Sequence, residues 1–371
     1  MTKRLKELIR LFLKLGLIGF GGPAVHIAMM EEEVVRKRRW MSHEHFLDLV
    51  GATNLIPGPN STEMTMHIGH ERAGWRGLII AGCCFIIPAV VITAMLAWAY
   101  QLYGKLPQVQ PFIYGIKPAI ISVVVVTMFH LARKAVKSLY LGIMGIIAAI
   151  AVLAGLNEIF VLFGTGLWGI IFQMVKTNQR ANGIIPITLL QAAQAAFEDS
   201  TIKIFLIFLK IGAILYGSGY VLFAFLDAEL VSTGILSKQE LIDAIAVGQF
   251  TPGPVFSSAT FIGWQIGGLP GAVAATIGIF LTSFLFVALL NPIIPKLRKS
   301  KIMSVFLDTV NVTSVAIILA VIIEMGQETL LDWRSILIAL VSLGVYFYFK
   351  KINSAFIVIG GALAGYILQL L

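Results

Sequence analysis

Long apolar segments separated by short polar connections dominate the pattern of hydrophobic and polar positions along this chain. A segment needs about 20 mainly apolar residues to cross a bilayer as a helix. The segments that reach or approach this length are 78–103, 111–132, 138–156, 158–175, 204–226, 269–294, 304–324, 335–349 and 353–371. A tenth segment, 8–30, is interrupted by glycine and proline. The pattern predicts an all-α, polytopic membrane protein with about ten spanning helices.

Two shorter segments, 42–55 and 237–250, have an amphipathic pattern instead. Each begins with a serine that can cap a helix and carries apolar residues on one helical face. Both are too short to span a bilayer, and each leads directly into a Pro-Gly-Pro turn. After the turn we expect a second short helix and then a full crossing. The pattern therefore predicts two re-entrant helical hairpins.

The chain is predicted to be a duplicated unit. Pro57-Gly58-Pro59 returns as Pro252-Gly253-Pro254, 195 residues later. Each copy is preceded by a lysine-bearing apolar segment with a glycine-rich break, and is followed by matching glycines. Because these matches keep register over a long span, chance is a poor explanation. We place the two repeats at 1–200 and 201–371.

Composition and charge support a membrane environment. The chain has 371 residues, of which 58% are hydrophobic and only 13% are charged, and this excludes an ordinary soluble domain. The net charge of +9 would suggest a nucleic-acid partner in a soluble protein. In a membrane protein the positive-inside rule accounts for it, so we expect lipid surroundings, no nucleic acid, and the cytoplasmic (inner) membrane.

The basic clusters also predict the topology. With the basic run 36–39 placed in the cytoplasm, counting crossings puts every later basic cluster on the same side. This count gives an odd number of crossings per repeat, so the two repeats are expected to have inverted topology. The same count places the basic residues 3–10 outside unless they lie along the surface, which leaves the side of the N-terminus open.

The repeated turn favours anion binding. Two prolines around a glycine end one helix and start another abruptly, and the new helix presents unsatisfied N–H groups with a positive partial charge. Two re-entrant hairpins from opposite faces would bring both helix starts to the bilayer midplane, where they suit an anion. Hydroxyls in the first turn either cap the helix or donate to a bound oxyanion. The candidate binding residues of the turns are Pro57, Gly58, Pro59, Asn60, Ser61, Thr62, Pro252, Gly253, Pro254, Phe256, Ser257 and Ser258.

Lys14 and Lys210 occupy equivalent positions inside apolar segments. An intramembrane lysine is costly and a candidate for function, although near a helix end it can extend to the interface. Because a dianion needs compensating charge, both lysines are candidate binding residues. The glycine-rich breaks that follow them are candidate gating residues, namely Gly21, Gly22, Pro23, Gly217 and Gly219.

Three titratable residues have no like counterpart in the other copy. Glu63, replaced by Ser258, either complements the helix dipole or takes up a coupling proton. His26 is either a packed core histidine or a proton carrier, and Lys117 is either a third cation for the anion or a helix-flanking residue. The sequence shows no metal-ligand constellation, phosphate loop, dinucleotide fingerprint or nucleophile triad. We therefore expect no metal, no cofactor and no enzymatic activity.

The combination of motifs resembles the chromate ion transporter family. The residues that carry the resemblance are Phe20-Gly21-Gly22-Pro23-Ala24, His26, Trp40, Phe46, Pro57-Gly58-Pro59, Ile68-Gly69, Gly74, Gly77, Ala81-Gly82, Phe85 and Pro88, together with the second Pro-Gly-Pro half. The resemblance covers roughly 8–135 and 204–325. It implies the two-domain, long-chain form with halves of opposite orientation. It also implies transport of chromate and its isostere sulfate, with efflux and resistance driven by ion gradients.

The predicted function is therefore a secondary transporter of chromate or a sulfate-like oxyanion, acting in efflux. Alternatives are an anion channel, an importer or exchanger of sulfate or another dianion, and, with no cofactor motif to support it, a membrane reductase. A homodimer is compatible with the sequence.

Overall fold

The computed structural model describes residues 2–20, 22–177, 200–216, 219, 221–290, 300–349 and 352–370. Every regular element within these ranges is helical. The first seven helices are α1 (Lys3–Ile18), α2 (Pro23–Glu31), α3 (His43–Thr53), α4 (Asn60–Tyr103), α5 (Gln110–Ala135), α6 (Leu139–Leu153) and α7 (Glu158–Thr177). The next seven are α8 (Ser200–Ile214), α9 (Val221–Leu226), α10 (Lys238–Phe250), α11 (Ser258–Leu290), α12 (Lys301–Thr329), α13 (Trp333–Tyr348) and α14 (Ser354–Leu370). Short π-helical turns, Glu32–Lys37 and Asp227–Val231, follow α2 and α9.

Five helical segments are long and apolar enough to cross a membrane, and they lie in α4, α5, α7, α11 and α12. The shorter helices α6, α13 and α14 are also apolar. The protein is thus a multi-pass membrane protein, and the all-α prediction is confirmed for the described residues.

α4 and α11 are each folded back on themselves. Gly74 and Gly268 share the non-helical dihedrals φ 59°, ψ −150°. Across the second kink, Thr260 Oγ1 lies 2.7 Å from Thr276 Oγ1, whereas a straight helix would separate these residues by about 24 Å. Each element is therefore a helical hairpin with a short arm, 60–72 or 258–266, and a long arm, 75–103 or 269–290. The predicted short helix after each Pro-Gly-Pro turn is confirmed.

Both lysine-bearing segments are broken. α1 ends at Ile18, Gly22 takes φ 81°, and Pro23 is the first residue of α2. In the second copy, α8 ends at Ile214 and α9 begins at Val221, so the apolar segment 204–226 is divided between two helices. The glycine-rich break predicted in each copy is confirmed, since glycine is unfavourable inside a helix.

The two copies interlock around one core. Within each copy the first helix packs closely on the long hairpin. A Cβ added at Gly16 would lie 2.7 Å from the Phe85 carbonyl oxygen, and one at Gly212 would lie 2.6 Å from that of Ile279. α4 and α11 pack together between the copies. The last helices exchange partners, because α6 and α7 pack on α12 while α13 and α14 pack on α5.

Candidate functional site

Each Pro-Gly-Pro turn closes on the broken helix of the other copy. The Gly58 N–H donates to the Leu215 carbonyl at 2.8 Å, and the Gly253 N–H donates to the Gly19 carbonyl at 2.7 Å. Gly19 and Leu215 are equivalent positions of the repeat, so the two contacts are reciprocal, as a two-fold relation requires. Both glycines have positive φ, 133° and 89°. Each turn is therefore held by a hydrogen bond to the broken segment of the opposite copy.

Buried hydroxyls surround this centre. Thr62 Oγ1 and Ser258 Oγ are buried and have no hydrogen-bond partner within the described residues, and the buried Ser283 hydroxyl lies beside the Glu63 carboxyl group. Thr93 Oγ1 donates to Ser257 Oγ at 3.2 Å. A buried polar group without a partner is costly, and native structures contain few of them. Their concentration at the helix starts is the feature expected of a site that binds a hydrogen-bond acceptor.

Glu63 makes the site asymmetric. Its side chain is fully buried, and the Ser283 hydroxyl is the hydrogen-bonding group beside its carboxyl. A Cβ added at Gly58 would overlap Glu63 Oε1 and lie 2.8 Å from Ser283 Oγ, so these two groups border the first turn. At the second turn, a Cβ added at Gly253 would instead lie 2.7 Å from the methyl group of Ala89 and 3.3 Å from the Gly16 carbonyl oxygen. The first turn thus adjoins a carboxyl group, whereas the second adjoins a methyl group and a backbone carbonyl.

Lys14 and Lys210 form equivalent ion pairs. Lys14 Nζ lies 3.1 Å from Glu33 Oε1, and Lys210 Nζ lies 2.7 Å from Glu229 Oε1. Each pair spans 19 residues and joins the first helix of a copy to its π-helical turn. Among the described residues the hydrogen-bond partners of these amino groups are the glutamates, not the turns. The sequence analysis missed both glutamates, although the spacing that recurs in the two copies is a signal that could have found them.

His26 and Lys117, which have no like residue in the other copy, each contact a distant part of the fold. His26 Nε2 lies 2.8 Å from the Gly19 carbonyl oxygen. Because a carbonyl only accepts, Nε2 carries the proton in this contact. The same carbonyl accepts from Gly253, so His26 supports the contact between the copies. Lys117 pairs with Asp243 of the other copy, at 3.0 Å.

The remaining predicted residues are distributed as follows. Asn60 Nδ2 donates to Asn54 Oδ1 at 2.8 Å. Phe256 is buried next to Gly219, where an added Cβ would lie 3.6 Å from its ring. Gly21 and Gly217 lie outside the described residues. Within those residues, no cluster of three or more His, Cys, Asp or Glu side chains could hold a metal ion.

Comparison with known proteins adds the family. The profile of the chromate transporter family matches residues 6–170 and, a second time, residues 202–366. The chain belongs to the chromate transporter family. A probable chromate transport protein of Synechococcus elongatus is 30% identical over 374 residues, which cover 98% of this chain and 95% of the relative. Chromate transport proteins of Cupriavidus metallidurans and Pseudomonas aeruginosa are 29% and 27% identical, over 98% and 97% of this chain and 93% and 92% of the respective relatives. No solved structure matches the chain.

In this member of the chromate transporter family, each matched region contains one Pro-Gly-Pro turn. The sequence analysis missed polar residues that other elements bring to the turns. Thr93 and Ser283 lie on the long arms of the hairpins. They are separated from the turn they approach by more than a hundred residues, and neither has a polar counterpart in the other copy. No local signal therefore points to them.

Proposed function

We propose that this chain is a secondary transporter that moves chromate, or a sulfate-like oxyanion, outward across the cytoplasmic membrane. The observation that carries the proposal is the reciprocal pair of hydrogen bonds by which each Pro-Gly-Pro turn contacts the broken segment of the other copy. In the helices that follow the turns, the buried hydroxyls of Thr62 and Ser258 have no partner within the described residues. Membership of the chromate transporter family supports the cargo class. The relatives from three bacteria are named for chromate transport.

A tetrahedral dianion fits the chemistry of this site. Thr62, Ser258 and Ser283 offer hydroxyl donors, and each such donor to a charged acceptor contributes about 1.5–3 kcal/mol. Helix starts add a positive partial charge, and burial removes competing water. Chromate and sulfate have the same shape and charge, so the proposal includes both.

The proposed topology has about ten crossings in two inverted repeats, 1–200 and 201–371. α3 with the arm 60–72, and α10 with the arm 258–266, are the proposed re-entrant hairpins. Each arm is too short to cross a bilayer. The reciprocal turn contacts and the exchange of outer helices support this arrangement, because both are what a two-fold relation between repeats produces.

Glu63 is the proposed coupling residue. An ionised carboxylate about 4 Å from a bound anion would cost about 4 kcal/mol per unit charge at an effective dielectric constant of 20. Glu63 is therefore expected to hold a proton while the anion is bound. A dianion moving with one proton carries a net single negative charge.

With this stoichiometry, the electrical and pH differences together still favour efflux when the anion concentrations on the two sides are equal. A potential of 100 mV, negative inside, favours outward movement of one negative charge by about 2.3 kcal/mol. A pH difference of one unit, alkaline inside, opposes the outward proton by about 1.4 kcal/mol. The membrane potential is thus the predicted driving force.

Uptake of radiolabelled chromate into everted membrane vesicles from expressing cells tests the proposal, since uptake there corresponds to efflux from the cell. We expect accumulation that depends on an interior-positive potential and is reduced by excess sulfate. Pro57→Ala and Pro252→Ala should abolish it at normal expression. Accumulation that follows the membrane potential but does not respond to an imposed pH difference at fixed potential would indicate a channel. Transport only in right-side-out vesicles would indicate an importer.

A further inference from the structure

A cavity of about 420 Å³ opens between α3, the C-terminal end of α5 and α12. Asn54, Lys134, Asn311 and Ser314 are among its lining residues. Lys134 belongs to the basic end of α5, which the positive-inside rule places in the cytoplasm. The cavity therefore has a cationic mouth.

Two hydrogen bonds link the lining of the cavity to the first Pro-Gly-Pro turn. Ser314 Oγ donates to the Tyr216 carbonyl at 3.2 Å. Tyr216 directly follows Leu215, whose carbonyl accepts from the first turn at Gly58. The cavity lining and the first turn are thus coupled through residues 215 and 216.

The symmetry-equivalent place, between α10 of the second copy and α5 of the first, is filled. Lys117, the counterpart of Asn311, lies with its Nζ 3.0 Å from Asp243 Oδ1. The Tyr100 hydroxyl donates to Asp243 Oδ2 at 2.5 Å. The side chains of Lys117 and Asp243 are only 14% and 5% exposed. α10 packs on α5 here, whereas the corresponding helices α3 and α12 lack comparable packing.

Residues of α3 and the segment that follows it are more exposed than their counterparts in α10. Asn54 is exposed, while its counterpart Gln249 is 6% exposed. Asp48 is exposed, while its counterpart Asp243 is 4% exposed. Two copies of one unit therefore have different conformations at the same place, and the first is open where the second is closed.

We infer that the cavity is the open cytoplasmic entrance through which an oxyanion reaches the Pro-Gly-Pro turns, and that Lys117, Asp243 and Tyr100 close its counterpart on the outer side. The inference rests on the proposed transport function and inverted topology. Lys134 attracts an anion to the open mouth. The buried ion pair is suited to a gate, because its attraction is strong in a low dielectric and both ions regain hydration when the gate opens.

Cysteine labelling in membranes tests the inference without relying on the cargo. In full-length protein with Cys83 and Cys84 replaced by alanine, Asn54→Cys and Gln249→Cys form a matched pair at equivalent positions. The probe is a membrane-impermeant, anionic methanethiosulfonate, applied to everted and to right-side-out vesicles. We expect Asn54→Cys to react from the cytoplasmic side at least about tenfold faster than Gln249→Cys reacts from either side.

Lys117→Asn gives the closed side the residue, asparagine, that its repeat counterpart Asn311 supplies at the open cavity. In this background we expect the rate at which Gln249→Cys is labelled from the outer side to rise about tenfold. This corresponds to a change in the gate equilibrium of about 1.4 kcal/mol. Asn311→Lys is the mirror control and should slow the labelling of Asn54→Cys. Equal labelling of the two positions would overturn the inference, as would the absence of any effect of Lys117→Asn at unchanged expression and monodispersity. Chromate flux remains a separate test of the proposed function.

Discussion

Gly253 and Gly155 have nearly the same φ but different surroundings, which allows a matched test of the second turn. Their φ values are 89° and 88°. A Cβ added at Gly253 would lie 2.7 Å from the Ala89 methyl group and 3.3 Å from the Gly16 carbonyl oxygen. A Cβ added at Gly155 meets no described atom within 4 Å. Alanine at the two positions should therefore share the backbone strain and differ in the packing conflict.

The magnitudes follow from these distances. The left-handed conformation costs a non-glycine residue about 1–2 kcal/mol, so Gly155→Ala should be destabilising by that amount. Ordinary carbon contacts need about 3.5–4.0 Å, so in Gly253→Ala the turn must move away from α4 by about 1 Å. Overpacking of this kind costs a further 1–3 kcal/mol or so. A displacement of about 1 Å at a binding site reduces activity by roughly a hundredfold.

The assay is chromate accumulation in everted vesicles, with thermal unfolding of the purified protein measured in parallel. We expect Gly155→Ala to transport at a rate close to that of the wild type, and Gly253→Ala to lose about 99% of it. Adding Ala89→Gly removes the methyl group that conflicts, so Gly253→Ala/Ala89→Gly should recover part of the transport. If Gly253→Ala transports like the wild type, or if both glycine variants lose transport equally, then transport does not require the close packing of the second turn.

Three further predictions concern single charged groups. Glu63→Gln should keep chromate binding but make flux independent of an imposed pH gradient at fixed membrane potential; flux that still responds to the gradient would exclude Glu63 as the coupling residue. Glu229→Gln should destabilise the protein by about 1–3 kcal/mol, since it leaves Lys210 without its charged partner, and the exchange Lys210→Glu/Glu229→Lys should restore thermal stability; failure of the exchange to restore it would contradict a paired role. The hydrogen bond from Tyr114 holds the pKa of Asp332 below its ordinary value, so its stabilising effect is present above that value and lost as pH falls through the lower, folded-state pKa. The melting temperatures of wild type and Asp332→Asn should accordingly differ at pH 7 and converge in acid, and a constant difference would contradict this.

The features that could be predicted from the sequence are those set by local chemistry. Gly22 and Pro23 break the first helix because their own backbone preferences disfavour its continuation, and the Pro-Gly-Pro turns start new helices for the same reason. The duplication was visible because both copies keep register around Pro57 and Pro252. Equivalent positions also identified the two turns as counterparts, and in the structure each turn contacts the equivalent broken segment of the other copy.

The features that could not be predicted depend on contacts between distant parts of the chain. Ser283 reaches the first turn only because α4 and α11 pack together, and no repeat counterpart signals it. The ion pair of Lys117 with Asp243 joins different copies, and the difference in exposure between the copies is a property of conformation that a repeat pattern does not contain.

The central claim is that both Pro-Gly-Pro turns form one shared oxyanion site. Equilibrium binding of radiolabelled sulfate and chromate to the purified protein tests it most directly, with Pro57→Ala and Pro252→Ala as the variants. The account predicts one anion bound per chain, competition between the two anions, and complete loss of binding in either variant. Two anions per chain, or half of the binding remaining after a single substitution, would show that each turn binds independently and would contradict the account.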